Sequence, residues 1–248
     1  MSNGFQIVVL AAGQGKRMGN PDQPKVLTPL NGKSMLSYLL SAINASGVSD
    51  DTVIVVGKGA EEVKKTFGAD YSYVLQAEQL GTGHAVLTAK EALGSAQHIM
   101  VLYGDHPLIS PELIKNLAAA HLAGKEVLTM ATVRVPNFDG WRSEFKSFAK
   151  ILRNQSGRIV RIVERKDATV EQADITEVNP AYMCFEADWL WENLAKLDTS
   201  NAQGEYYLTD LVKMAVDQGH NIQSVEVGEK EALGINTPEQ LDKISDLI

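Results

Sequence analysis

Residues 6–19 read Gln6-Ile7-Val8-Val9-Leu10-Ala11-Ala12-Gly13-Gln14-Gly15-Lys16-Arg17-Met18-Gly19 and set the architecture of the whole chain. The first part, Gln6 to Leu10, is apolar and rich in β-branched residues, which is typical of a strand buried on both faces. A glycine-rich turn follows at once, as it does where such a strand leads into a loop and a helix. The stretch therefore predicts an α/β fold that begins with a buried strand.

Strand-like and helix-like runs alternate through the first half of the chain. The strand-like runs are Gln6 to Leu10, Thr52 to Val56 and His98 to Tyr103, and the runs with helical spacing are Met35 to Ile43, Gly83 to Leu93 and Glu112 to His121. Uninterrupted apolar strands separated by amphipathic helices indicate a mostly parallel sheet with helices on both faces.

The pattern changes from about residue 127. We predict an added antiparallel portion from the strand-like runs Val127 to Val135, Ala149 to Arg153, Ile159 to Val163 and Val178 to Phe185, with one short helix, Val170 to Ala173. The α/β style then returns with the helices Leu190 to Leu197, Tyr207 to Gln218 and Pro238 to Ile248 and the strand Ile222 to Val227. Without repeats or a linker, we expect one continuous domain over residues 1–248.

Charge and cysteine content exclude several classes of protein. The 248 residues carry 23 basic and 31 acidic side chains, a net charge of −8, so neither nucleic acid nor an anionic membrane is expected as the main partner. The single Cys184 excludes an internal disulfide framework. Lys16 and Arg17 follow the first apolar run, which is the wrong polarity for a signal peptide, and we expect a cytoplasmic protein.

The glycine-rich turn predicts a phosphate site. Backbone N–H groups at Gly13 and Gly15 can surround phosphate oxygens, and Lys16, Arg17 and Lys25 supply positive charge that the acidic chain otherwise lacks. A strand-to-helix turn with a solvated basic cluster is the simpler alternative.

Two familiar phosphate-binding motifs do not match. A Walker A loop ending at Gly32-Lys33-Ser34 would need a glycine where Leu27 stands. A dinucleotide-binding fingerprint would need a third glycine at Met18 and an acidic residue after the second strand, where Gly57-Lys58 stands. Neither a motor NTPase nor an NAD enzyme is favoured.

Longer motifs resemble a known family. Residues 10–25 resemble the signature of sugar-phosphate nucleotidyltransferases, and four more segments follow in the family's order: Leu75 to Ala85, Leu102 to Ile109, Ile162 to Thr169 and Asn201 to Asp210. Over about residues 8–241 they are similar to the uridylyltransferase domains of bifunctional bacterial N-acetylglucosamine-1-phosphate uridylyltransferases. The acetyltransferase β-helix of those proteins is absent from the 248 residues.

The resemblance implies a Rossmann-like fold, with a nucleotide-binding part over about residues 1–125, a sugar-binding part over about 126–235 and a C-terminal helix over about 237–248. It implies that a sugar 1-phosphate oxygen attacks the α-phosphorus of UTP and releases pyrophosphate. Such a step needs positioning and charge neutralisation more than proton transfer.

Roles on the nucleotide side follow from the resemblance. Arg17 and Lys25 are expected to contact the triphosphate, with Lys25 near the transferred phosphorus, and the backbone at Leu10, Ala11, Ala12, Gly13 and Gly15 to hold the nucleotide. Uracil is expected against Gln76, Gly81, Thr82, Tyr103 and Gly104. An amide side chain can offer both a donor and an acceptor to a base edge.

The resemblance also implies a metal and a sugar site. Asp105 follows a strand, where open α/β sheets place ligands, and the family pairs this aspartate with an asparagine, here Asn236, to hold Mg²⁺. The simpler alternatives are a turn residue before Pro107 and a residue at the start of a helix. On the sugar side the pattern indicates Ala149, Glu164 and Asn179.

Three departures from the family pattern fall on the sugar side. Ala149 stands where the family has a glycine, after a longer loop over Gly140 to Ser147. Asn179-Pro180-Ala181 replaces Asn-Thr-Gly, and His106 replaces a small apolar residue. The resemblance implies uridylyl transfer, and N-acetylglucosamine 1-phosphate is the expected acceptor. Because the departures fall on the sugar side, glucose 1-phosphate is an alternative acceptor, and a non-catalytic nucleotide-sugar-binding regulator is the alternative of another class. We expect a monomer or a small homo-oligomer.

Overall fold

The computed structural model describes residues 4–19 and 23–247. In chain order these residues form β1 (Phe5–Ala11), β2 (Pro29–Leu30), β3 (Lys33–Ser34), α1 (Met35–Ser46), β4 (Thr52–Val56), α2 (Ala60–Phe67), β5 (Ser72–Leu75), α3 (Thr82–Thr88), β6 (His98–Tyr103), α4 (Pro111–Ala123), β7 (Leu128–Arg134), β8 (Lys150–Arg153), β9 (Ile159–Val163), α5 (Val170–Ala173), β10 (Glu177–Val178), β11 (Met183–Glu186), α6 (Ala187–Leu194), α7 (Asp210–Asp217), β12 (Gln223–Glu226) and α8 (Pro238–Ser245). Short 3₁₀ helices cover Lys16–Met18, Lys25–Leu27, Gly140–Ser147 and Lys230–Ala232. Among the helices of these residues, none has the length and apolar character needed to cross a membrane.

The main sheet joins a parallel half to an antiparallel half. Its order is β5-β4-β1-β6-β11-β7-β10-β8-β9, with β12 beside β7. The pairs among β5, β4, β1 and β6 are parallel, whereas β11 runs antiparallel to both β6 and β7. The strands β7, β10, β8 and β9 continue antiparallel. The predicted α/β class and its added antiparallel portion are confirmed.

Helices cover both faces of the parallel half. Ile7 and Val9 of β1 pack in one buried cluster with residues of α1 and α4, while Val8 packs in another with residues of α3, α6 and α7. Successive side chains of a strand point to opposite faces, so an uninterrupted apolar strand such as β1 is what two helix layers require.

A third cluster connects the antiparallel half to the C-terminal helix. It contains Phe145, Val178, Ile235 and Ile244, all of them buried. Since Ile235 precedes Asn236 directly and Phe145 lies four residues before Ala149, this cluster fixes two segments that reach the candidate site described below.

Several predicted boundaries need correction. The run Val178 to Phe185 is two strands, because Pro180 lacks an N–H group and Ala181 has a φ of 72°. The segment Gly140–Ser147 is a 3₁₀ helix instead of an open loop. The largest corrections among the helices are to α3, which ends at Thr88, and to α6, which covers Ala187–Leu194 and not Leu190 to Leu197. In addition, α7 begins at Asp210 and α8 ends at Ser245. In the C-terminal helix, Ile248 lies outside the described residues, as do residues 20–22 of the signature.

Two packed histidines, the buried His121 and the half-buried His98, lie at the opposite end of the sheet from the candidate site and predict acid sensitivity. The Nδ1 atom of His121 lies 2.9 Å from Thr129 Oγ1, and its ring packs 5.1 Å from that of His98. Burial, and then His98, lower the pKa of His121 from 6.5 to about 4, against a hydrogen bond at Phe185.

We expect the free energy of unfolding to fall as the pH drops from about 6.5 to about 4, because the unfolded chain takes up the proton first. The part of this loss that comes from His121 is about 3 kcal/mol at about pH 4. Urea unfolding at pH 7 and pH 4 measures the difference. The variant His121→Gln should show a smaller difference, and the same pH dependence in both proteins would contradict the assignment.

Candidate active site

The candidate site lies where the chain changes direction across the sheet. From β1 the chain proceeds to β4 and β5 on one side and then crosses to β6 on the other side of β1. The loops after β1 and β6 therefore diverge and leave a crevice at their carboxyl ends, where open α/β sheets bind ligands. The N–H group of Gly104 donates to the carbonyl of Leu10 at 3.0 Å and keeps the two strand ends together below the crevice.

Four polar side chains from distant parts of the chain meet in this crevice. The Lys25 ammonium is almost fully buried and forms an ion pair with Asp105. It also donates to Asn236 Oδ1 at 2.8 Å, and Arg17 Nη2 donates to the same oxygen at 3.1 Å. We call Arg17, Lys25, Asp105 and Asn236 the charged centre.

Gly15 supports the charged centre through packing. Its φ is 62°, and a Cβ atom there would lie 2.8 Å from Lys25 Cβ. Glycine accepts this left-handed conformation without strain, and it leaves room for the lysine stem. Gly15 therefore lies behind Lys25, and it is absent from the walls of the two clefts described below, whereas Gly13 lines one of them.

Asp105 is held in its ionised form. Burial by itself raises the pKa of the carboxyl, but Lys25 and His106 together with hydrogen bonds outweigh burial, so the net pKa is lowered. The carbonyl of Asp105 accepts a hydrogen bond from Ile235 N at 2.9 Å. This backbone contact holds Asn236 beside the carboxylate.

The donor set of the charged centre fits Mg²⁺. Asp105 offers carboxylate oxygens and Asn236 an amide oxygen, and both groups converge on the Lys25 ammonium. Mg²⁺ prefers oxygen ligands and is commonly bound by one or two protein groups, with water and substrate phosphates completing the octahedron. In the part of the chain that the structure describes, no group of three His, Cys, Asp or Glu side chains is arranged to hold a metal.

A first cleft of about 690 Å³ opens on the β1 side of the charged centre. It is lined by Leu10, Ala11, Ala12, Gly13, Lys25, Val26, Gln76, Gln79, Gly81, Thr82, Ala85, Tyr103, Asp105 and Glu205. Ten of these were predicted from the sequence as nucleotide-binding or catalytic residues; Val26, Gln79, Ala85 and Glu205 were not.

Gln76 presents one atom to the first cleft. The side chain is buried, and its Nε2 donates to the carbonyl of Gly81 at 3.1 Å and lies 3.1 Å from His84 Nδ1. The amide nitrogen is engaged inside the protein, so the amide oxygen is the atom available to a ligand. Gly81 itself has a φ of 114°, and a Cβ atom would lie 2.6 Å from the carbonyl oxygen of Tyr206.

A second cleft of about 1010 Å³ adjoins the first. The two clefts share four lining residues, Thr82, Tyr103, Asp105 and Glu205. The predicted sugar-side residues Ala149, Glu164 and Asn179 line the second cleft, together with Asn236. The charged centre therefore lies at the boundary between two connected clefts. Arg17 itself lines neither cleft and joins the centre through its hydrogen bond to Asn236. Gly104 lines neither cleft.

Glu164 is an unusual carboxyl for a cleft wall. It accepts a hydrogen bond from Thr209 Oγ1 at 2.8 Å. Burial first, and then the nearby Asp210, Asp167 and Glu205, raise its pKa, against the opposing effect of the Thr209 hydrogen bond. A carboxyl of this kind is well suited to exchange hydrogen bonds with uncharged hydroxyl groups.

The three departures from the family pattern meet in the second cleft, where His106, Ala149, Pro180 and Ala181 all contribute to the lining. The Tyr182 hydroxyl donates to the carbonyl of Glu231 at 2.8 Å, so His106 Nδ1 donates to the hydroxyl oxygen at 2.6 Å. Burial, and also Lys25, lower the pKa of His106 against the opposing effect of Asp105.

Sequence reasoning missed the contribution of one segment. Residues Gln203, Glu205, Tyr207 and Thr209 all reach the second cleft, because the N–H group of Tyr206 donates to the carbonyl of Leu80 at 2.8 Å and ties this segment to the start of α3. The motif Asn201 to Asp210 contained these residues, but nothing in its spacing indicates which side chains turn inward.

The chain is similar to a known family of proteins. Residues 7–212 match the model of the MobA-like NTP transferase domain. The chain is 40% identical over 243 residues to the bifunctional protein GlmU of Clostridium botulinum and 43% identical over 243 residues to that of Dechloromonas aromatica, covering 97% of this chain in both cases. It spans 51% of the length of each of these relatives.

Among solved structures, a UDP-glucose pyrophosphorylase complexed with UDP-glucose has the same fold, with a TM-score of 0.80 at 20% identity, over 98% of this chain and 97% of the other. The family match extends from the third residue of β1 into α7 and so contains most of both clefts. The predicted resemblance to nucleotidyltransferases is confirmed, and the chain belongs to the MobA-like NTP transferase family.

Proposed function

We propose that the protein transfers the uridylyl group of UTP to N-acetylglucosamine 1-phosphate with Mg²⁺, forming UDP-N-acetylglucosamine and pyrophosphate. The observation that carries this proposal is the charged centre at the boundary of two connected clefts. A group transfer between two anions needs one cleft for each anion and positive charge between them.

The chemistry follows from the positions of these side chains. An acceptor phosphate oxygen forms a bond to the α-phosphorus, the bond to the bridging oxygen breaks, and pyrophosphate leaves with that electron pair. Lys25 and Arg17 neutralise charge on the nucleotide phosphates. Mg²⁺ held by Asp105 and Asn236 would draw the phosphate groups together and neutralise their charge.

Gln76 provides a test of the base. The free Gln76 oxygen is proposed to accept from the N3–H group of uracil. Cytosine has an acceptor at N3 and carries its donor on N4, at another position of the base edge, so this contact would favour UTP over CTP. We expect Gln76→Ala to lower kcat/KM for UTP about 10-fold or more while changing that for CTP much less. Steady-state rates with both nucleotides measure this. The matched variant Gln79→Ala, on the same cleft, should retain the preference; equal losses for UTP and CTP would contradict the role.

The acceptor is tested by pyrophosphate release. In the second cleft Glu164 and Asn179 are the proposed partners of the sugar hydroxyl and acetamido groups. Rates are measured with N-acetylglucosamine 1-phosphate, N-acetylgalactosamine 1-phosphate, glucose 1-phosphate and glucosamine 1-phosphate. The proposal expects the first to be preferred. A preference for glucose 1-phosphate would contradict the proposed acceptor and keep the uridylyl transfer. UTP binding without turnover on any acceptor would favour a non-catalytic regulator.

A further inference from the structure

Outside the charged centre, Asn236 is supported by two further residues, Gln240 and Glu144. Its backbone N–H group donates to Gln240 Oε1 at 2.6 Å. The N–H group of Gln240 in turn donates to Thr237 Oγ1 at 3.3 Å at the start of α8. The remaining polar atom of the Gln240 side chain, Nε2, donates to Glu144 Oε2 at 2.7 Å. The other Glu144 oxygen accepts from Lys243 at 2.5 Å.

Glu144 lies on the 3₁₀ segment Gly140–Ser147, and this segment is anchored firmly. Phe145 is fully buried, Arg142 Nε donates to Glu229 Oε2 at 2.6 Å, and the buried Lys150 donates to the carbonyl of Phe145 at 3.1 Å. Ser147, Phe148 and Ala149, which follow Glu144, line the second cleft. We call Ser147, Phe148 and Ala149 the acceptor wall. The Gly140–Ser147 segment thus leads into the acceptor wall and also contacts Gln240, which supports Asn236.

The direction of each hydrogen bond is fixed by chemistry. A carboxylate can only accept, so Gln240 must turn its nitrogen to Glu144 and its oxygen to the N–H group of Asn236. The amide orientation at Gln240 therefore depends on Glu144. Without Glu144, the Gln240 side chain could rotate and leave the Asn236 N–H group without its acceptor.

We propose that Gln240 and Glu144 are positioning residues that hold Asn236 at the charged centre and link it to the acceptor wall through the Gly140–Ser147 segment. This inference rests on the proposed function, because it assigns these residues to the support of a metal ligand. Groups that orient a metal ligand without touching the metal commonly change metal affinity 10- to 100-fold when they are replaced.

An exchange of the two side chains tests the proposal. In Gln240→Glu two carboxylates face each other, and we expect the Mg²⁺ concentration for half-maximal rate to rise about 10-fold or more with little change in KM for UTP. In the double variant Glu144→Gln, Gln240→Glu the amide at 144 donates to the carboxylate at 240, which still accepts from Asn236. The double variant should recover most of the loss.

A second readout does not depend on turnover. Binding of Mn²⁺ to the protein with UTP, followed by electron paramagnetic resonance, should weaken in Gln240→Glu and recover in the double variant. Lys243→Met removes the other partner of Glu144 and should leave both readouts near wild type. Unchanged Mn²⁺ binding in Gln240→Glu, or no recovery in the double variant, would overturn the inference. An inactive wild type would defeat the proposed function, while Mn²⁺ binding would still decide the inference.

Discussion

Replacing Asp105 with Asn is expected to lower turnover about a thousand-fold, the largest effect of any single substitution at this site. The amide keeps the shape of the carboxyl but removes the negative charge that pairs with Lys25 and that a divalent cation requires. Because Asp105 is ionised in the folded protein, the loss is a loss of charge at a defined position. Single-turnover and steady-state rates of pyrophosphate release measure it.

The control for Asp105→Asn is nucleotide binding. Most of the first cleft is built from other residues, such as Leu10, Gly13 and Gln76, so UTP should still bind without metal to within a few-fold. A variant that keeps wild-type turnover would remove Asp105 from the reaction. Asp105→Ala should lose turnover as well, and full activity there would exclude the metal assignment.

Lys25→Met and Arg17→Met are expected to lower turnover by similar amounts, about a hundred-fold each, but to differ in stability. Lys25 is buried and paired, so removing its charge leaves the Asp105 carboxylate uncompensated in the interior, at a cost of about 3 kcal/mol. Arg17 is exposed, and its loss should change the free energy of unfolding by less than about 0.5 kcal/mol.

Urea unfolding and turnover, both measured on the wild type, Lys25→Met and Arg17→Met, separate the effect on stability from the effect on catalysis. Lys16→Met is the matched control, since Lys16 is an exposed neighbour outside the charged centre. It should keep both turnover and stability close to wild type. If Arg17→Met retained full turnover, the contact between Arg17 and Asn236 would be structural only, and of these two side chains only Lys25 would act on the phosphates.

The parallel half of the fold could be predicted from the sequence because its signals are local. A continuous apolar run such as Thr52 to Val56 can be recognised as a strand from its own few residues. The strands β4 and β6 have the predicted bounds. The glycine-rich turn and the strand-end position of Asp105 also indicate where the crevice forms, without reference to distant residues.

The antiparallel half could be predicted only in outline, because its details depend on distant contacts. The break between β10 and β11 comes from Pro180 and the left-handed Ala181, which Asn179 Oδ1 stabilises by accepting from Ala181 N at 2.9 Å. The folding of Gly140–Ser147 into a 3₁₀ helix depends on burial of Phe145 against residues far along the chain. No periodicity in either segment reveals these contacts.

The candidate site shows the same division. Lys25, Asp105 and Asn236 were predicted from motifs, but the position of Glu205 depends on the pairing of its segment with the start of α3. A series of hydrogen bonds from His106 through Tyr182 to Glu231 joins three regions that no motif connects. Such contacts determine how the two clefts fit together, and they become visible only in the folded chain.

The most direct test of the account is the conversion of UTP itself. The wild-type protein is mixed with UTP, N-acetylglucosamine 1-phosphate and Mg²⁺, and the phosphorus atoms are followed by nuclear magnetic resonance. The two clefts around the charged centre predict that pyrophosphate and a UDP-sugar appear in equal amounts, and that neither forms without the acceptor. Release of phosphate without a UDP-sugar, or binding of UTP with no product at all, would contradict the account.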